Sequence, residues 1–159
     1  MSLRSGGIVL ALAFFAAAAV TPAGADPVAV PAHDAALAKA LGADELGMRK
    51  YVLVVLKTGP KKMPPGPARD AMFKGHFANI QRLADQGKLA LAGPLDGVDG
   101  WRGLFVLATD DPAEAKRHVE QDPVVANGEM VAEYHVFYGS AGLMLVNETH
   151  KKVASKQGP

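Results

Sequence analysis

The chain has 159 residues, no Cys, 17 Lys and Arg against 16 Asp and Glu, and 49% hydrophobic residues, the makeup of one soluble globular domain of about 100–150 residues. A second large domain is excluded, as are disulfide staples and Cys-based zinc or iron–sulfur centres. A formal charge of +1 with 21% charged residues supplies neither the basic field that grips nucleic acid nor the composition of a disordered chain.

Arg4 precedes an apolar run from Gly6 to Val20, which is followed by Thr21-Pro22 and the small residues Ala23-Gly24-Ala25. A charged start, a short apolar stretch and small residues at the last and third-last positions predict a secretory signal peptide over residues 1–25, cleaved after Ala25. The run falls short of the ~20 apolar residues of a membrane span, so no stable membrane anchor is expected after cleavage. With no Cys a lipoprotein is excluded, and a single Arg does not indicate the twin-arginine route. The mature chain is therefore expected to be periplasmic or secreted.

Residues 26–48 read as a lead-in. Pro27 and Pro31 keep its start extended, and Ala35–Leu41 predicts about two turns of helix stopped by Gly42. Lys50–Lys57 (Lys-Tyr-Val-Leu-Val-Val-Leu-Lys) is β-branched, aromatic and apolar on both faces, a strand covered on both sides. The loop Thr58–Pro67 carries too many prolines and glycines for a helix or a central strand. Arg69–Gln86 then places Met72, Phe73, Phe77, Ile80, Leu83 and Ala84 at steps that suit an amphipathic helix ended by Gly87. Lys88–Pro94 and Trp101–Thr109 predict a hairpin across the Asp- and Gly-rich turn Leu95–Gly100.

The second half repeats this grammar. Asp111-Pro112-Ala113-Glu114 joins a capping Asp to Pro at the first helical position and predicts a helix to about Glu120. Asp122-Pro123 caps a short turn ending at Asn127-Gly128 in the same way. Glu129–Tyr138 is a long final strand, Met144-Leu145-Val146 suggests a short edge strand, and residues 147–159 read as a polar C-terminal tail. The order β-α-β-β-α-β over residues 49–146 is the α+β, ferredoxin-like arrangement, with both helices on one face of an antiparallel sheet. Because the alternate sets Val52/Val54/Leu56 and Tyr51/Leu53/Val55 are both apolar, a monomer would leave an apolar sheet face in water. Burial at ~25 cal/mol per Å² favours a homodimer with the sheets face to face.

The strand Tyr51–Leu56, His76 on the first long helix, Ala92-Gly93-Pro94, Arg102-Gly103, the Pro112–Glu120 helix and Asp122-Pro123 together resemble the YciI-like family of dimeric α/β-barrel proteins. The resemblance runs from Lys50 to Tyr138. It implies a ferredoxin-like protomer, a dimeric α/β barrel and an active site made by His76 and Asp122, in a family some of whose members act on chlorinated aromatic breakdown products. The chain departs from the family pattern in its signal peptide, lead-in, Pro-rich loop and extended C-terminus, and in Val124-Val125 where an aromatic often follows Asp-Pro.

Two readings of the pair stay open at this level. In one, a carboxylate beside a part-buried imidazole fixes its tautomer and raises its basicity, making His76 a general acid or base for a lyase, hydrolase or isomerase reaction on a small organic molecule. In the other, His76 is a satisfied core histidine, Asp122 a helix cap, and the protein a non-catalytic small-molecule-binding or interaction protein. Arg102 is either a bidentate anchor for a substrate carboxylate or a solvated strand-end charge. His135 reads as a core or interface histidine, His118 as a charge at a helix C-terminus, and His33 and His150 as tail residues. No His–carboxylate spacing makes a metal motif, and no Gly-x-Gly-x-x-Gly, phosphate loop or Gly-x-Ser-x-Gly is present. No cofactor, metal or nucleic-acid partner is therefore expected. An unidentified small-molecule ligand is.

Overall fold

A computed structural model of the chain describes residues 32–156; the expected signal peptide and the first residues of the lead-in lie outside them. Asp34 caps helix α1 (Ala35–Ala40) by accepting from the Leu37 amide at 2.9 Å. Strand β1 (Met48–Thr58) begins two residues before the expected Lys50, and helix α2 (Pro67–Asp85) opens on a proline at its first turn. Gly87 (φ 67°) takes the left-handed conformation that ends α2, letting the Lys88 amide turn back to Leu83 O at 2.9 Å. Strands β2 (Leu89–Pro94) and β3 (Trp101–Leu107) pair as the expected hairpin. Helices α3 (Pro112–Val119) and α4 (Pro123–Ala126) start at their Asp-Pro steps and lead into strand β4 (Met130–Ser140).

The sheet has the order β2-β3-β1-β4, antiparallel at every pairing, so β1 is central and takes a partner on each side. This is the ferredoxin-like arrangement. The Val52/Val54/Leu56 side of β1 packs with Phe105 and Leu107 against Met72 and Leu83 of α2, Ala115 and Val119 of α3 and Val124 of α4.

The opposite face divides in two. Tyr51 and Val106 are buried there with Ala90, packed by Leu143 and Met144, whereas β4 presents exposed Glu133 and His135, opposite Val55 and Leu53 in register. Lys57 closes on Glu133 at 2.8 Å. The apolar area left for a partner is thus narrower than the alternation along β1 suggests, and His135 is not a core residue.

The expected edge strand at Met144-Leu145-Val146 does not form. Ala141–Leu145 is a 3₁₀ turn, capped by Ser140 accepting from the Gly142 amide, and the polar tail continues as helix α5 (Val146–Val153). Leu143 and Met144 gain more by packing on the sheet face than by extending its edge. Asn147 Nδ2 donates to Leu89 O at 2.6 Å, so a side chain rather than a fifth strand meets β2. Lys151 of α5 pairs with Asp85 of α2 at 3.1 Å.

The face of α2 that goes deepest also differs from its apolar stripe. Met72, His76, Asn79 and Leu83 are buried, while Phe77 remains 40% exposed. Their spacing still follows one helical face, but polar side chains occupy its centre, which is tolerable only with bonded partners.

Candidate functional site

The partner of that polar line is Asp122, which is fully buried. Its carboxylate lies 2.9 and 2.8 Å from His76 Nδ1 through Oδ1 and Oδ2. It also accepts from Asn79 Nδ2 at 3.0 Å and from the Val124 amide at 3.1 Å. Arg82, a donor-only guanidinium, reaches Asn79 Oδ1 at 2.7 Å, which sets the amide so that its nitrogen faces Asp122. A carboxylate receiving those two donors acts as an acceptor toward the ring as well, so Nδ1 carries the proton and Nε2 holds the free lone pair. Asp122 is therefore helix cap and histidine orienter at once.

The close approach of α4 to α2 makes this possible. A Cβ at Gly75 would lie 2.9 Å from Pro123 Cγ. Only glycine lets the ring of Pro123, and with it Asp122, settle against the turn that carries His76.

The His76 ring stacks on Phe105 (centroids 6.0 Å apart, 28° between planes) and meets Phe73 edge-on at 6.2 Å. It forms part of the wall of a cavity of about 550 Å³, with Phe73, Phe77, Ile80, Phe105 and Arg102, a volume ordinary for a small-molecule site. Nε2 makes no hydrogen bond among the described residues. It is not sealed either, since the one fully buried unpaired side-chain polar atom among them is His118 Nε2.

Arg102, the second residue of β3, lines the same cavity. A second cluster adjoins it. Arg69 bonds Glu129 Oε1 at 2.8 Å while the Met63 amide donates to Oε2 at 2.7 Å. The Arg69 hydrogen bond, aided by the Met63 amide and the nearby charges of Arg69 and Arg102, holds the Glu129 carboxyl below the usual carboxylate range. Glu129 so ties down the Pro-rich loop, whose Gly59 amide also donates to Glu129 O at 2.8 Å. The Arg69 guanidinium lies 4.6 Å over the Phe73 ring.

The remaining histidines divide. His150, expected in a tail, is carried by α5 to the same cavity. His118 faces Glu114 across 3.6 Å on α3, and His33 is exposed ahead of α1; neither lines the cavity. Asn79 and Arg82, at three-residue steps beyond His76, could have been found by asking which α2 side chains share its face. Glu129 carries no local signal, because its partners come from the loop and α2.

The YCII-related domain matches residues 50–138. The chain belongs to that family. His76, Arg102 and Asp122 all fall within the matched segment, whereas α5 lies beyond it. Among solved structures, 5-chloro-2-hydroxyhydroquinone dehydrochlorinase from Burkholderia phenoliruptrix AC1100, in complex with 2,5-dihydroxybenzoquinone, is similar at 19% identity over 54% of this chain and 90% of its own, with a TM-score of 0.36. No curated protein matches the chain. Among the described residues no group of three or more His, Asp and Glu side chains gathers as a metal site.

Proposed function

We propose that this YCII-related protein is an exported acid–base enzyme acting on a small organic anion, in a lyase, hydrolase or isomerase reaction. The reading is carried by one observation: a buried His76–Asp122 pair whose imidazole, unbonded at Nε2 among the described residues, lines an apolar cavity. Nε2 takes a proton from the substrate, or in a hydrolysis from the attacking water, Asp122 stabilises the imidazolium that forms, and the proton passes to the product or leaving group. Arg102 holds the anionic group and offsets charge that develops as the proton leaves.

The test is a panel of small organic acids in D₂O, followed by proton NMR for exchange, elimination or hydrolysis. His76→Asn is expected to slow whichever reaction is found by about 10²- to 10⁴-fold. A folded His76→Asn protein with wild-type turnover refutes the reading.

Two further parts of the proposal have their own tests. Export is supported by Arg4, the Gly6–Val20 run and Ala23-Gly24-Ala25; N-terminal sequencing of the protein from the extracytoplasmic fraction should begin at Asp26, and a chain that keeps Met1 in the cytoplasm overturns it. A homodimer is supported by Leu53 and Leu104, only part-buried on the sheet face away from α2. Chromatography with light scattering should give twice the mass of the mature chain, and a clean monomer mass rejects the dimer.

A further inference from the structure

The cavity around His76 is closed in part by a segment outside the family domain. Residues 50–138 carry the YCII-related match, yet His150 of α5 lines the cavity together with His76 and Arg102. Among the lining residues these three alone carry side-chain nitrogen; the rest are aliphatic, aromatic, Met, Pro or Gly.

The placement of His150 is built rather than incidental. The turn before α5 is pinned by the Ala141 amide donating to Gly47 O at 2.9 Å, and Leu143 and Met144 pack on the sheet. The helix is then held by Asn147 on Leu89 O and by Lys151 on Asp85. Those contacts fix α5 beside β2 and α2 and commit Lys151 to Asp85. His150 also lines two adjoining clefts, one against Ile80, Leu89 and Leu91 and one within its own helix and turn, so its ring stands at the rim where these spaces meet.

We propose that α5, outside the family domain, is a ligand-binding element, with His150 a specificity-determining residue that hydrogen-bonds a second polar group of the ligand while Arg102 holds its carboxylate. The preferred ligand class is then an organic acid with a ring-sized apolar body and a hydroxyl or similar group away from the carboxylate. This rests on the cavity being the working site, and it adds which feature of the ligand α5 reads.

The probes are cyclohexanecarboxylate and 4-hydroxycyclohexanecarboxylate, titrated by calorimetry into the full mature chain. Wild type is expected to prefer the hydroxy acid by about 2- to 10-fold, the worth of one net hydrogen bond. His150→Leu is expected to abolish that preference, His150→Gln to retain part of it, and Arg102→Ala to weaken both acids alike. His150 is exposed, so these variants are expected to fold, checked by circular dichroism. A wild type that binds neither acid or does not discriminate, or a His150→Leu variant that discriminates as wild type does, overturns the proposal. The acid–base reading fails through a different variant and a different signal, namely unchanged turnover in His76→Asn.

Discussion

Replacing Gly75 by Ala separates the geometry of the His76–Asp122 pair from the stability of the fold. The new methyl would meet Pro123 Cγ at 2.9 Å, where ordinary contacts begin at 3.4 Å, so α4 must retreat by about half an ångström. Pro123 is a rigid ring one residue from Asp122, and it transmits that retreat to the carboxylate. The bonds from His76 Nδ1 at 2.8 and 2.9 Å would lengthen to about 3.3–3.4 Å, outside the range of strong charge-assisted bonds. Stability is less affected, because two effects oppose. Overpacking costs about 1–3 kcal/mol, while Ala in place of Gly inside a helix returns about 1 kcal/mol. The expected net loss is about 0–2 kcal/mol, read by urea denaturation. Proton NMR should show the hydrogen-bonded Nδ1–H signal of His76 shifted or broadened by exchange with water. A Gly75→Ala protein about 1 kcal/mol more stable than wild type, as helix propensity alone dictates, with that proton unmoved, would refute the claim that a glycine contact seats the pair.

Asp122→Asn removes the charged acceptor shared by His76, Asn79 and the Val124 amide, and is expected to destabilise the chain by about 1–3 kcal/mol in urea; an unchanged midpoint contradicts the network. Phe105→Ala deletes a buried ring that packs in the helix-side core and under His76, with an expected loss of about 3–5 kcal/mol. A loss under about 1 kcal/mol, the range of surface substitutions, contradicts that burial. Glu129 titrates below its ordinary 4.5 in the folded chain because of the Arg69 hydrogen bond and the Met63 amide. Its contribution is therefore fully present above about pH 4.5 and is lost as pH falls through the lowered folded value. Urea midpoints measured from pH 6 to pH 3 should fall less steeply for Glu129→Gln than for wild type, and parallel curves rule this out.

The elements were legible because their signals are local. Asp34, Asp111 and Asp122 each cap a helix by accepting an amide two or three residues on, and Gly87 ends α2 one residue past its cap. The continuous β-branched and apolar run of β1 and the turn residues before Trp101 placed the strands and the β2–β3 hairpin in the same way. The apolar stripe of α2 was less informative. It named Phe73 and Phe77, which line the cavity, whereas His76 and Asn79 lie deeper because Asp122 is there to bond them.

Sequence by itself determined the order of elements from β1 to β4, the ferredoxin-like topology and, through the family's motifs, the identities of His76 and Asp122. Only the tertiary structure decided that Asp122 serves ring and cap together, that Asn79 and Arg82 stand behind it, that Glu129 anchors the Pro-rich loop, and that α5 carries His150 to the cavity. The physical reason is range. A cap or a periodic face is satisfied within one or two turns, but the His76–Asp122 pair spans 46 residues, the Arg69–Glu129 pair 60 and the Asn147–Leu89 bond 58. Such partners meet only once β1 has paired on both sides and the helices have packed over it.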